Sequence, residues 1–205
     1  MRYGADHKST TRAKVVEAAS RSLRRRGPEG LAVAEVMAEA GLTHGGFYAH
    51  FPSKDALIAE AVQAAFEDSR VQFLKLGEGR TGREQLNTFV DQYVSAAHRD
   101  RPERGCAITA LASDMPRQAE AARRAYDAGV ARLIARLARL LAGGTALERR
   151  ARAGSLLAEM AGAVTLARAI RDPVLSDSLL AETRAAVKQR MGLIDTPLEQ
   201  SRTDD

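Results

Sequence analysis

The chain is poor in the residues that most catalytic and metal-binding chemistry relies on. Cys106 is its only cysteine, so no disulfide can close within the chain, as expected for a reducing compartment. The histidines His7, His44, His50 and His98 are scattered. With no HExxH or CxxC pairing they leave too few ligands for a structural zinc site, and no metal or other cofactor is expected. No serine stands in a nucleophile motif, so no catalytic residue is assigned and an enzyme is not expected. Apolar stretches stay far short of the roughly 20 residues that span a bilayer, and the opening MRYGADHKSTTR has no apolar core for a signal peptide. A cytoplasmic protein without a membrane partner is expected.

What is present is ordinary soluble chemistry with a basic bias. The 205 residues are 45% apolar and 28% charged, enough for a real core in one or two domains. A formal net charge of +5 and a sequence pI near 9.7 admit a polyanionic partner. The first 26 residues are more lopsided. Arg2, Lys8, Arg12, Lys14, Arg21, Arg24, Arg25 and Arg26 stand against Asp6 and Glu17, a local balance of +6. Standing alone, such a run is more simply a solvated helix face.

Nearly every segment has helical period, which predicts an all-α fold. Val16, Ala19 and Leu23 share one face of a first helix that ends at Gly27-Pro28. A short second helix spans 31–40, with Val33, Val36, Met37 and Ala40 facing inward, and Gly41 closes it. Ser53 is a natural N-cap, with Asp55 favourable in the first turn, for a long helix running to Leu76. The segment GEGRTG (77–82) has the spacing of a dinucleotide-binding loop, but a helix precedes it and no strand-like segment lies near, so it reads as a linker between domains. Helices are predicted beyond it at 83–99, 105–114, 117–142, 147–171 and 175–191, and the polar end 195–205 is expected to be disordered.

The most informative stretch is AGLTHGGFYAHFPSKDAL (40–57). A helix, a glycine-closed turn and a short helix starting at Thr43 make a helix-turn-helix, whose second helix enters the DNA major groove. Thr43 can cap that helix and contact a phosphate, while Gly45 and Gly46 remove the side chains that would hold the backbone off a duplex. His44 is then the best candidate for reading base edges, because imidazole can donate or accept. Tyr48, His50 and Lys54 can reach phosphates. Phe47 and Phe51 read as internal anchors.

Residues 10–57 resemble the TetR family of bacterial transcriptional regulators, through VVEAASRSL, LAVAEVMAEAGLTHGGFYAHFPSKDAL and their spacing. The resemblance implies an N-terminal three-helix DNA-binding domain (1–56) and a C-terminal helical sensor and dimerisation domain (57–194), bridged by the long helix. It places Thr43, Tyr48, His50 and Lys54 on phosphate-contacting positions and His44, Gly45 and Gly46 against the groove. Two departures stand out. Ala32 occupies the place where Ser or Thr usually caps the second helix, and the paired glycines leave little side-chain readout. Operator preference would then lean on DNA shape and on the basic N-terminal arm.

The resemblance also implies a homodimer on a double-stranded operator and a small-molecule effector. Leu156, Gly162, Ala163, Ala167 and Ile170 form a stripe on the penultimate helix, and the last helix offers Leu179, Leu180, Val187 and Met191, enough for a four-helix interface. The same stripes would serve an intrachain core. Phe73, Phe89, Tyr93, Thr109, Tyr126 and Val130 suit a mostly apolar effector pocket or plain packing. Cys106 follows Gly105 at an expected helix N-terminus near Arg101 and Arg104, a setting that lowers a thiol pKa and suits an electrophile or oxidant sensor, or else it is a small buried core residue. The expected function is a repressor released from a palindromic operator by an effector. A thiol-sensing repressor and an effector-free architectural DNA-binding protein are the alternatives.

Overall fold

Side-chain caps start four of the long helices. Ser53 accepts from the Ala56 amide at 3.1 Å, Thr81 and Thr145 form capping boxes with Glu84 and Glu148, and Asp172 caps a helix that begins at Pro173. In the computed structural model, residues 3–194 are described, with side chains described from Ser9 onward. The expected disordered tail, 195–205, lies outside the described residues.

The order is α1 (Tyr3–Arg26), α2 (Val33–Glu39), a 3₁₀ helix (His44–Ala49), α3 (Lys54–Gly77), α4 (Gly82–Tyr93), α5 (Ala96–Asp100), a 3₁₀ turn (Pro102–Arg104), α6 (Ala107–Leu111), a 3₁₀ turn (Met115–Arg117), α7 (Glu120–Leu140), α8 (Ala146–Ala169) and α9 (Pro173–Arg190). No strand occurs among the described residues, so the fold is all-α. Gly27 and Gly41, at φ +71° and +76°, close α1 and α2 in a left-handed conformation that other residues adopt only at a cost.

Among the differences from the expected elements are two boundaries and one helix face. The 83–99 helix breaks at Val94 (ψ 72°), because the Ser95 hydroxyl donates to the Gln92 carbonyl and accepts from the His98 amide, drawing the backbone out of the helix. GEGRTG, expected as a linker, joins α3 to α4. It is a tight reversal that lays α4 back on α3, where the Gln85 amide donates to the Phe73 carbonyl at 2.9 Å. The inner face of α1 is built on Val15, Ala19 and Leu23, with Val16 only half-buried.

Helix α3 is the spine, packed against α1 on one side and α7 on the other. Phe66 of α3 lies so close to Gly129 of α7 that a Cβ there would meet its ring at 2.3 Å, and Tyr126 closes on the same ring edge-on at 5.6 Å. Behind α7, α8 and α9 complete the bundle. Of the stripe expected at a dimer interface, Leu156, Ala163, Ala167, Leu180 and Val187 are buried inside the chain. They fill the core that α8 shares with α7 and α9, so that expectation is corrected. Ile170 and Leu179 are half-buried, and only Gly162 faces outward. The outward faces carry Ala158, Gly162 and Leu166 on α8 and Val174 and Leu175 on α9.

Alanine at 129 gains roughly 1 kcal/mol of helix propensity but overpacks Phe66, at roughly 1–3 kcal/mol. Gly129→Ala is therefore expected to lower the thermal midpoint by a few degrees, and Phe66→Leu in the same chain to restore part of the loss. A midpoint that rises in Gly129→Ala alone would show that the two helices can separate freely.

Candidate nucleic-acid interface and internal cavity

The paired glycines shape the second helix of the helix-turn-helix. Two adjacent residues of low helix propensity leave a 3₁₀ turn, His44–Ala49, rather than an α-helix. Thr43 occupies the N-cap position but its hydroxyl makes no cap bond, contrary to expectation. The turn is held from within. Phe47 and Phe51 are buried and stack at 5.7 Å, so both are internal anchors. Outside them Thr43, His44, Gly45 and Tyr48 are exposed, Tyr48 to 76%, while Gly46, His50 and Lys54 are half-buried. A Cβ at Gly45 would touch nothing, and one at Gly46 would make only ordinary contacts with Met37 and Thr43 at 3.8 and 3.9 Å. Neither glycine is demanded by the fold.

Arg12 pins this turn from α1. Its guanidinium makes a paired hydrogen bond with Glu60 of α3, lies 4.6 Å over the Phe51 ring, and donates from Nε to the His50 carbonyl at 3.4 Å. Much of the basic run is used in the same way. Arg21 pairs with Glu17 and Glu39, Arg26 with Glu35, and Arg24 with Asp68. These pairs leave less free positive charge on α1 than its sequence suggests; the side chains of Arg2 and Lys8 lie outside the described residues.

Arg24 is unusual in being buried. It donates to Asp68 on α3 at 2.9 Å and to the Gly105 carbonyl at 3.2 Å. Gly105 belongs to the wall of a cavity of about 360 Å³. That cavity is lined from α3 by Ser69, Gln72, Phe73 and Leu76, from α4 by Phe89, Gln92 and Tyr93, from α7 by Leu133, and from the 95–106 segment by His98, Arg101, Arg104 and Cys106 among others. Phe73 and Phe89 meet edge-on at 5.1 Å, and Phe89 and Tyr93 at 5.4 Å. A wider, open groove of about 990 Å³ runs between α1, α3 and α7, but its walls carry several charged side chains and lack an aromatic ring. The smaller, aromatic-walled cavity is the better ligand site.

Of the expected pocket residues, Phe73, Phe89, Tyr93 and Cys106 line this cavity. Thr109, Tyr126 and Val130 do not. Thr109 turns its hydroxyl to the Cys106 carbonyl, and Tyr126 packs on Phe66. The 3.6-residue spacing of Ser69, Gln72, Phe73 and Leu76, and of Phe89, Gln92 and Tyr93, was the sequence signal for the polar wall residues. Arg12 and Arg24 had none, because their partners are remote in the chain.

Cys106 corrects the reactive-thiol expectation. It sits at the N-cap position of α6, but that helix has five residues and the side chain is buried, so desolvation pushes the thiol pKa up despite the neighbouring cations. His98 supports the same wall. Its Nδ1 donates to the Tyr93 carbonyl at 2.7 Å, so Nε2 is free to accept from the Cys106 amide at 2.9 Å. Burial, with Arg168 nearby, pushes its pKa down to about 4.

A helix-turn-helix at one end and an aromatic-walled cavity at the other define an all-α, DNA-binding transcriptional regulator with a second, ligand-sized compartment. The model of the bacterial regulatory proteins of the tetR family matches residues 15–61, and that of the LmrA/YxaF-like transcriptional regulator C-terminal domain matches residues 83–175. The chain belongs to the TetR family. A TetR-family regulator from Agrobacterium tumefaciens superposes with a TM-score of 0.73 at 22% identity, over 89% of this chain and 98% of that one. E. coli NemR in its reduced form gives 0.74 at 21%, over 92% and 99%. A TetR regulator from Chloroflexus aurantiacus gives 0.72 at 25%, over 91% and 96%. No curated protein sequence matches significantly.

The His98 clamp has a definite pH signature. The unfolded chain takes up a proton near pH 6.5 and the folded one only near 4, so acidification across that interval favours unfolding. The stability His98 contributes is present above about 6.5 and lost by about 4, on the order of 2–3 kcal/mol. Urea denaturation of the wild type and His98→Gln should show a gap at pH 7 that closes towards pH 4. A gap independent of pH would mean that the imidazole is not held neutral.

Proposed function

We propose that the chain is a homodimeric repressor, not an enzyme, that holds a palindromic operator through residues 43–54 and releases it when a small molecule fills the aromatic-walled cavity. In this reading residues 1–56 are the DNA-binding head, residues 57–194 the sensor and dimerisation part, and the protein works in the cytoplasm. Thr43, Tyr48, His50 and Lys54 contact phosphates, His44 reads a base edge, and Gly45 and Gly46 let the backbone approach the duplex. The outward faces of α8 and α9, with Ala158, Gly162, Leu166, Val174 and Leu175, meet their copies in the partner.

The single observation that carries release is the Arg24 guanidinium. One buried side chain on α1 holds both α3 and the Gly105 carbonyl in the cavity wall. A ligand that displaces that wall weakens the tie between cavity and head, and the two heads lose the roughly 34 Å spacing that successive major grooves demand. The long α3, with Lys54 at its head and Ser69 to Leu76 along the cavity, moves with them. The buried thiol argues against a thiolate sensor. The formed cavity argues against an effector-free architectural protein.

Tyr48→Ala or Lys54→Ala is expected to weaken operator and random DNA alike, with affinity falling steeply as salt rises. Gly46→Val should abolish operator binding in a protein that still folds, since the fold leaves room for a side chain and a duplex does not. Equilibrium titrations with labelled duplex and far-UV circular dichroism on the same samples decide this; full operator affinity in folded Gly46→Val removes the close-approach account.

Coupling has its own test. Arg24→Gln should leave a ligand able to bind the cavity while shrinking the factor by which it lowers operator affinity, and by linkage operator DNA should then weaken ligand binding by the same smaller factor. An unchanged factor in both directions would place the coupling elsewhere.

A further inference from the structure

The wall of the cavity nearest the DNA-binding head carries two cations, Arg101 and Arg104. Arg101 and Arg104 stand exposed at the cavity mouth, and neither guanidinium makes a hydrogen bond or an ion pair among the described residues. No aspartate or glutamate lines the cavity. Behind the wall, half-buried Arg168 gives its three donor groups to neutral oxygens only: the Arg99 carbonyl at 2.9 Å, the His98 carbonyl at 2.7 Å and the Thr109 hydroxyl at 3.2 Å. Its terminal nitrogen lies 3.2 Å from where a Cβ on Gly105 would stand. Asp100 and Glu103 act on Arg168 only from a distance, and burial holds its pKa down. A half-buried cation whose hydrogen bonds all go to neutral oxygens is only partly compensated. Arg24, also pressed on Gly105, is compensated by a carboxylate, Asp68; Arg168 is not.

The rest of the cavity combines three aromatic rings with neutral polar side chains. Phe73, Phe89 and Tyr93 form a run of tilted and edge-on rings that suits a planar aromatic body, with Leu133 on the opposite helix. Gln72 and Gln92 add neutral hydrogen-bonding groups, and neither carries charge. A volume of about 360 Å³ is at the small end for a ligand site.

We infer that the effector is a small aromatic carboxylate, its ring among Phe73, Phe89 and Tyr93 and its carboxylate on Arg101 and Arg104, where it also supplies the negative charge that Arg168 lacks. The guanidinium fork matches a planar carboxylate with two parallel hydrogen bonds. The inference rests on the reading of this cavity as the effector site, and it explains how binding could move the wall: the carboxylate draws on Arg104, whose neighbour Gly105 carries the carbonyl that Arg24 holds.

The test is calorimetric titration of the full-length protein with benzoate, phenylacetate, cinnamate and indole-3-acetate, each beside its primary amide. At least one carboxylate is expected to bind about tenfold or more tightly than its amide, the difference a charge-assisted contact supplies. In Arg101→Gln/Arg104→Gln that carboxylate should fall to the level of its amide, while amide affinity and unliganded operator affinity stay as in the wild type. The same carboxylate should lower operator affinity of the wild type. Amides that bind as tightly as their acids, or carboxylate affinity unchanged in the double variant, overturn the anionic inference and leave the effector reading standing, provided either still releases operator. Absence of binding by all four acids overturns the inference as well. Operator release by neutral or cationic aromatic compounds in a parallel screen then decides separately whether the cavity senses anything.

Discussion

The close approach of Phe66 to Gly129 is the contact on which the rest of the molecule depends. A phenylalanine ring from α3 stands where any other residue on α7 would put a side chain, which fixes both the separation and the rotation of the two helices. With one face committed to α7 and the other to α1, α3 has no freedom to roll. Its first residue, Lys54, is thereby placed beside the 3₁₀ turn of the helix-turn-helix, and its last turns, Ser69 to Leu76, form a cavity wall. The helix-turn-helix and the cavity lie at two ends of one rod.

Charge plays a different part from the one its distribution suggests. A basic first helix looks like an electrostatic footprint for nucleic acid, yet Arg12, Arg21, Arg24 and Arg26 are held by carboxylates on the chain itself. Exposed pairs of this kind contribute little stability, roughly 0–1 kcal/mol each. Arg24 is the exception, because it is buried and its bonds reach two other parts of the fold. What these pairs supply is position: Arg12 fixes the 3₁₀ turn against α1, and Arg24 fixes the cavity wall against the same helix.

Cys106 shows two opposing effects in competition. A helix N-terminus and neighbouring arginines favour the thiolate, and burial disfavours it. Burial wins: desolvation outweighs the hydrogen bonds from Tyr93 and from the Ile108 and Thr109 amides and the field of Arg24. The same burial keeps His98 neutral, and a neutral imidazole is what allows Nε2 to accept the Cys106 amide and order the wall.

The sequence by itself determined the all-α class, the helix-turn-helix and most helix starts, because each rests on contacts within about four residues: the caps at Ser53, Thr81 and Thr145, the glycine closures at 27 and 41, and the buried Phe47 and Phe51 pair. The family resemblance also pointed to part of the cavity, Phe73, Phe89, Tyr93 and Cys106. Periodicity could not say which apolar stripe of α8 or α9 faces the core, because a stripe carries no address for its partner. Only the tertiary structure turned Leu156, Ala163 and Val187 inward and left Leu166, Val174 and Leu175 outside. It alone paired Arg12 with Glu60 and brought Arg24 to Gly105, contacts spanning 48 and 81 residues. It also decided the fate of the thiol, since the free energy of a charge depends on what surrounds it in space, and neighbours in sequence supply only a small part of those surroundings.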